Sequence, residues 1–374
     1  MKKIYCLGLH KTGSTSLQRV LLANQVALAK RGVLFPPVTP QAVTRFMADL
    51  LRPSAARPLR LNDYMGHNAL AYQMISERVA GFAVPQGHLP TFASSDALFL
   101  AQDLAEHLAA QTLVFCSEDL ARASLMAPDV PRVFAERFGA DDVTIFAVVR
   151  RPDEALAAWQ TQKLRFGQPF AALRQTGVEP YFGTVHLEYR AALEPWLRAF
   201  PAARIVLAPY GEVKAAGGTV ERFFQIAGLD TSGLTGLETK ANPSLPHAVF
   251  EIARLALAAI PLESAKHLRA FLARAAEGLA LPVNSSVDML GGKARGTLLR
   301  GFEDTHHWLS QTSGRVPFFP DISQMAVAPD MTATDAAVQA LPALRAKADA
   351  ELGDPVARAF LAGLSEQALQ EVAA

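Results

Sequence analysis

The stretch Ile4–Ser16, IYCLGLHKTGSTS, decides how the rest of this chain is read. It begins as a short apolar run, Ile4–Leu9, and closes in a turn of small residues. A helical pattern follows, with Leu17, Val20, Leu21 and Leu28 on one face and Gly32 as its stop. Strand, glycine turn and helix together form an anion cradle. N–H groups at the start of a helix have no carbonyl partner inside it, and the helix dipole favours negative charge there. Gly13 lets the backbone approach a ligand closely. Ser14, Thr15 and Ser16 add hydroxyl donors, and Lys11 adds a positive charge inside the loop.

The spacing fits part of a Walker A frame, G-x-x-x-x-G-K-[ST]. Gly8 and Gly13 occupy the glycine positions, but Ser14 stands where the lysine belongs and the lysine has moved to Lys11. This argues against an ordinary ATPase or kinase. No aspartate after a strand offers itself as a magnesium ligand.

Half of the 374 residues are hydrophobic, enough for a sizeable core in one large domain or two. The net charge of +1 gives no bulk attraction to nucleic acid, so an anion site must be a local cluster. The chain enters a strand within a few residues, which leaves no room for a signal peptide, and no apolar run is long enough to span a bilayer. A cytoplasmic protein is the expectation. Cys6 and Cys116 both fall in apolar strand-like runs and read as buried free thiols. His306 and His307 are adjacent rather than four apart, and no carboxylate completes a metal set with them.

Val33–Phe35 is a short apolar run closed by Pro36-Pro37, and further strands are expected at Thr112–Cys116, Thr144–Val149 and Arg204–Ala208. Residues 38–110 read as a largely helical insert broken at Pro53, Pro58 and Pro85–Pro90. His67, near the start of one insert helix, reads as a helix-surface residue or an acceptor contact. The Thr112–Cys116 strand ends in Ser117-Glu118-Asp119. Open parallel sheets place ligands at the carboxyl ends of their strands, so Glu118 emerges on the same edge as the Lys11 loop. Ser117 or Asp119 as a helix cap, with Glu118 in the first turn, explains the same residues. The next strand runs into Arg150-Arg151-Pro152 and a helix over Glu154–Leu164. A helix over Tyr181–Phe200 precedes the fifth strand and the turn Pro209-Tyr210-Gly211. Phe223 and Phe224 belong to a helix ended by Gly228. Asn242 and Ser244 read as caps of a following helix. Residues 247–312 are helical with interruptions near Pro282–Ser286 and Gly291-Gly292. There Lys293, Arg295 and Arg300 read as a solvated basic face or as an anion contact. Residues 326–374 are alanine-rich and read as an added helical tail.

The loop H-K-T-G-S-T-S-L-Q, His10 to Gln18, resembles the 5′-phosphosulfate loop of sulfotransferases that use 3′-phosphoadenosine-5′-phosphosulfate (PAPS). The closest likeness is to the bacterial and Golgi carbohydrate-type members. The later motifs follow in that family's order: Ser-Glu after a strand, strand–Arg–helix, a Pro-Tyr turn, then C-terminal helices. The resemblance implies an α/β, P-loop-NTPase-like three-layer sandwich with a central parallel sheet. It implies one domain over residues 1–325, with a helical insert at about 38–110 and a helical C-terminal part at about 247–325, followed by the tail. It assigns donor binding to His10, Lys11, Thr12, Gly13, Ser14, Thr15, Ser16 and Arg150. Lys11 would act at the bridging oxygen, Glu118 would be the general base, and His10 is a second candidate base. Arg150 would hold the 3′-phosphate. Ala158 stands where the family places a serine on that phosphate, and a hydrogen bond to a charged group is worth about 1.5–3 kcal/mol. Arg151 or Gln162 could substitute. The implied reaction moves a sulfuryl group from PAPS to a hydroxyl or amine of a glycan or small hydroxylated molecule, without a metal. A non-catalytic nucleotide- or glycan-binding relative and an ATP-dependent P-loop phosphotransferase are the alternatives.

Overall fold

Five short β-branched and aromatic runs form a parallel sheet, and helices fill the connections between them. The computed structural model describes residues 1–9, 11–52, 65–85, 88, 92–237 and 245–371. His10, Pro53, Pro58, Asn242 and Ser244 lie outside the described residues, as do 86, 87, 89 and 90 of the Pro85–Pro90 break. Strand β1 is Lys2–Leu7, followed by helices α1 (Ser14–Ala23) and α2 (Gln25–Ala29) and strand β2 (Val33–Leu34). The insert supplies α3 (Pro40–Leu51), α4 (Gly66–Ser76) and α5 (Ser94–His107). Then come β3 (Thr112–Ser117), α6 (Glu118–Met126), α7 (Val130–Phe138), β4 (Val143–Val149), α8 (Pro152–Lys163) and the short α9 (Leu173–Thr176). The chain continues with α10 (Tyr189–Ala199), β5 (Arg204–Pro209), α11 (Tyr210–Ala215) and α12 (Thr219–Ala227). It ends with α13 (Phe250–Ala259), α14 (Leu262–Glu277), β6 (Val287–Asp288), α15 (Gly292–Ser313), β7 (Met331–Thr332), α16 (Ala333–Glu351), α17 (Pro355–Gly363) and α18 (Glu366–Glu371).

The chain divides into two compact units. The first comprises Met1–Arg150, Gly183–Ala241 and Asp304–Pro320; the second comprises Arg151–Phe182, Asn242–Glu303 and Asp321–Ala374. The chain crosses between them repeatedly.

In the first unit the sheet order is β2-β3-β1-β4-β5, and every pairing is parallel. Alternation along the strands splits the core into two faces. Ile4, Cys6, Val114, Cys116, Phe146 and Val148 pack with Leu17, Val20 and Leu21 of α1 and Val220, Phe223 and Phe224 of α12. On the other face the Tyr5 ring meets Phe115, Phe134, Trp196 and Phe200, with centroids 5.1–6.1 Å apart. Helices therefore cover both faces of an α/β sheet, as expected. Cys6 and Cys116 are register partners, both buried and free.

Two local expectations need correction. One helix was expected through Leu28, but Asn24 interrupts it. The Asn24 amide donates to Val20 O at 2.8 Å and to Thr235 O at 2.9 Å, so the side chain competes for a helical carbonyl. The helix expected over Tyr181–Phe200 begins only at Tyr189, because Gly183 takes a positive φ of 76°. The stretch read as a tail forms α16–α18, and it buries Ala336, Ala337, Ala340, Leu341 and Leu344 in the core of the second unit. Thr332 and Asp335 start α16 with a reciprocal capping box.

The second unit is helical. It holds a chain of charges around the buried Asp153, Arg295 and Asp288: Arg151 to Asp153 at 2.7 Å, Asp153 to Arg295 at 3.3 Å, Arg295 to Asp288 at 3.0 Å, and Asp288 to the exposed Arg174 at 2.8 Å. Arg295 is thus no part of a solvated basic face, whereas Lys293 and Arg300 are exposed. Its guanidinium is 7% exposed because two aspartates compensate it.

Candidate functional site

The parallel sheet directs the carboxyl ends of β1, β3 and β4 to one edge of the first unit. Connections leave β1 and β4 in opposite directions across the sheet, which opens a crevice at that edge. The loop after β1 turns tightly. Lys11 has φ 64°, a left-handed conformation costing a non-glycine residue about 1 kcal/mol. Gly13 has φ 92° and precedes the first residue of α1. A Cβ on Gly13 would lie 2.8 Å from Thr219 Oγ1 at the start of α12. Thr219 Oγ1 donates to Thr12 O, and Thr12 Oγ1 donates to Leu9 O at 2.6 Å. The loop is therefore clamped from outside and within, and its Ser14, Thr15 and Ser16 form the first turn of α1.

Gly8 brings the β3 end against this loop. A Cβ there would meet Ser14 Cβ at 2.7 Å and Glu118 Cα at 3.2 Å. Without it, Ser14 Oγ donates to Glu118 Oε2 at 3.0 Å. Ser117 caps α6 by accepting from the Asp119 N–H at 3.0 Å, so the cap and the placement of Glu118 hold together. Burial pushes the Glu118 carboxyl above the usual carboxylate range; Ser14, Arg122 and Lys11 pull against that rise.

Arg150 follows β4. Its backbone carbonyl accepts from the Tyr189 hydroxyl at 3.1 Å, and its guanidinium lies over the Tyr210 ring at 4.7 Å. One guanidinium nitrogen donates to Lys11 O at 3.4 Å. Lys11, Thr12, Gly13, Ser14, Glu118 and Arg150 are thus brought to one sheet edge. Thr15 and Ser16 share their helix turn. His10 lies outside the described residues. Ala158 is buried within α8 and offers only its carbonyl, which accepts from Thr161. Arg151 is paired with Asp153, Glu154 and Asp321.

A buried polar network behind Glu118 was not anticipated. Gln18 of α1 donates to Asn68 Oδ1 at 2.8 Å and to Cys116 O at 2.9 Å. Asn68 donates to Asp119 Oδ2 at 2.8 Å and accepts from Ser117 at 2.9 Å. Asp119 also meets the Tyr72 hydroxyl, and its carboxyl is pushed up to about 7, chiefly by burial and further by the Glu118 charge. The sequence signal was Gln18 and Asn68 on otherwise apolar faces of their helices. His67 is not a helix-surface residue. It is 3% exposed. Nε2 donates to Pro36 O at 2.9 Å and Nδ1 accepts from the Cys116 N–H at 3.1 Å. Burial lowers its pKa to about 4, so the ring is neutral.

No protein-family model, no curated protein and no solved structure matches this chain. Among the described residues, no helix is long and apolar enough to cross a membrane.

Proposed function

We propose that the chain is a PAPS-dependent sulfotransferase with a P-loop-like donor site, acting on a hydroxyl or amine, with a carbohydrate as the acceptor class. The observation that carries this reading is the convergence of Lys11, the first turn of α1, Glu118 and Arg150 at one sheet edge. The residues suit the donor: a left-handed glycine turn, hydroxyls and a lysine for the 5′ side, and an arginine for a second phosphate. Ser14 at the Walker lysine position leaves the loop with its charge at Lys11, as the resemblance requires.

Transfer of this kind asks the protein for alignment and charge stabilisation rather than covalent chemistry. Lys11 and the α1 N–H groups stabilise negative charge on the departing phosphate. Glu118, ionised, accepts the proton of the acceptor hydroxyl. Its raised pKa moves it toward the working pH of a general base. Arg150 orients the nucleotide through its second phosphate.

A second reading, a non-catalytic nucleotide- or glycan-binding protein, is favoured by Ala158 and the committed Arg151. Calorimetric titration with 3′-phosphoadenosine-5′-phosphate, beside ADP and ATP with Mg²⁺, tests the donor site. Preferential binding of the bisphosphate is expected, weakened about 10- to 100-fold by Arg150→Ala. Failure to bind it, or preference for ATP with Mg²⁺, overturns the sulfotransferase reading. Bisphosphate binding without turnover across a panel of hydroxylated and amino acceptors would favour the second.

A further inference from the structure

The Ser14 hydroxyl has one hydrogen to donate. It gives that hydrogen to Glu118 Oε2, 3.0 Å away, although Ser14 is the first residue of the α1 turn that an anion at the loop would meet. A phosphate or sulfate oxygen seated there competes for the same hydrogen. The Glu118 carboxylate also places a negative charge beside that seat. We infer that anion binding at the first turn of α1 and ionisation of Glu118 oppose each other, with the Ser14 hydroxyl as the element that couples them. The inference rests on the loop being an anion site, as proposed above.

The consequence follows from reciprocity: if ionised Glu118 weakens anion binding, a bound anion raises the proton affinity of Glu118 by the same factor. Loss of the Ser14 hydrogen bond acts in the same direction, since that bond favours the charged carboxylate. Donor binding would thus make Glu118 a stronger base before the acceptor arrives. Ser14 is here a positioning residue for Glu118. The charged and titratable groups around Glu118 are Lys11 from the loop, Arg122 and Asp119 on α6, and Tyr72 on α4. Tyr72 is held well above its ordinary pKa, chiefly by burial, and stays neutral. Asp119 titrates in this window, so a Glu118 variant is the necessary control.

The test uses two probes on the full chain at constant ionic strength: sulfate, whose charge is constant from pH 5 to 8, and 3′-phosphoadenosine-5′-phosphate. Affinities are measured at pH 5.5 and pH 8 for the wild type, Glu118→Gln, Ser14→Ala, Ser14→Thr and the double variant Ser14→Ala/Glu118→Gln. Sulfate should bind the wild type more tightly at pH 5.5 than at pH 8, by at least about fourfold, the size for unit charges about 5 Å apart with the full screening of water. Glu118→Gln should bind sulfate more tightly than the wild type at pH 8, and its affinity should change less with pH. The effect of Glu118→Gln should shrink in the Ser14→Ala background, while Ser14→Thr, which restores a hydroxyl, should keep it. An unchanged pH dependence in Glu118→Gln, or an equal effect of that substitution with and without the Ser14 hydroxyl, overturns the inference and leaves the donor reading standing. Coupling seen with sulfate but no preference for the bisphosphate over ADP sustains the inference and overturns the donor reading. Binding of neither probe by folded protein overturns both.

Discussion

The sheet edge of the first unit and the charge chain of the second both bury ionisable groups, but they treat them differently. In the second unit Arg151, Asp153, Arg295, Asp288 and Arg174 alternate in sign, and each buried aspartate meets two guanidiniums. At the sheet edge two consecutive carboxyls, Glu118 and Asp119, are gathered with much less compensation. Among the described residues Asp119 Oδ1 has no hydrogen-bond donor, and the Arg122 guanidinium is 3.5 Å away. Beside them the loop holds a non-glycine residue at positive φ. Paired buried charge fixes geometry; strained, under-compensated charge is what a reactive site requires. The first arrangement reads as structural and the second as functional.

The comparison breaks most readily at Asp288. Asp288→Ala leaves Arg174 and Arg295 without their shared carboxylate and should cost about 3–5 kcal/mol in urea unfolding. A loss under about 1 kcal/mol would mean that the chain of ion pairs does not hold the second unit. The next largest effect concerns His67, behind the sheet edge. Its folded-state pKa is about 4, against about 6.5 unfolded. A depressed histidine contributes stability that is present above the unfolded pKa and is lost as pH falls toward the folded one. About 3 kcal/mol should therefore disappear between pH 6.5 and 4. Histidine ring signals followed by NMR should show no titration of His67 from pH 5 to 8; a midpoint near 6.5 would contradict its burial.

Gly13→Ala sharpens the contrast at the loop itself. It should cost about 1–2 kcal/mol, from positive φ and contact with Thr219, and it should weaken bisphosphate binding more than it lowers stability. The smallest effect is expected at Glu118. Its folded-state pKa lies above the unfolded value, so the ionised form costs stability, and that cost vanishes as pH falls below both. Glu118→Gln should raise Tm slightly at pH 8 and leave it unchanged at pH 4. A clear drop at pH 8 would place Glu118 with the structural charges instead.

Much of the fold was legible because it is locally encoded. The five apolar runs became the five strands of the first unit's sheet, and Gly13, Gly32 and Gly228 mark turns that need positive φ. Ser117 as a cap was legible for the same reason, since its partner is two residues away. The errors arose where a distant residue decided the outcome. His67 is buried because Pro36 and Cys116 meet its two nitrogens. Arg295 is internal because Asp153 and Asp288 neutralise it. The alanines after residue 332 had weak periodicity, and only packing within the second unit made them core.

The sequence by itself determined that an N-terminal strand feeds a lysine-bearing glycine turn and a helix. Each of those choices is made within a few residues, by sterics, periodicity and helix-end chemistry. Only the tertiary structure decided that Ser14 meets Glu118, 104 residues away, that Arg150 reaches the Lys11 carbonyl, and that the chain folds into two units of three segments each. Hydrogen bonds and ion pairs act over about 3 Å. No local pattern states which distant side chains the strand order will bring that close.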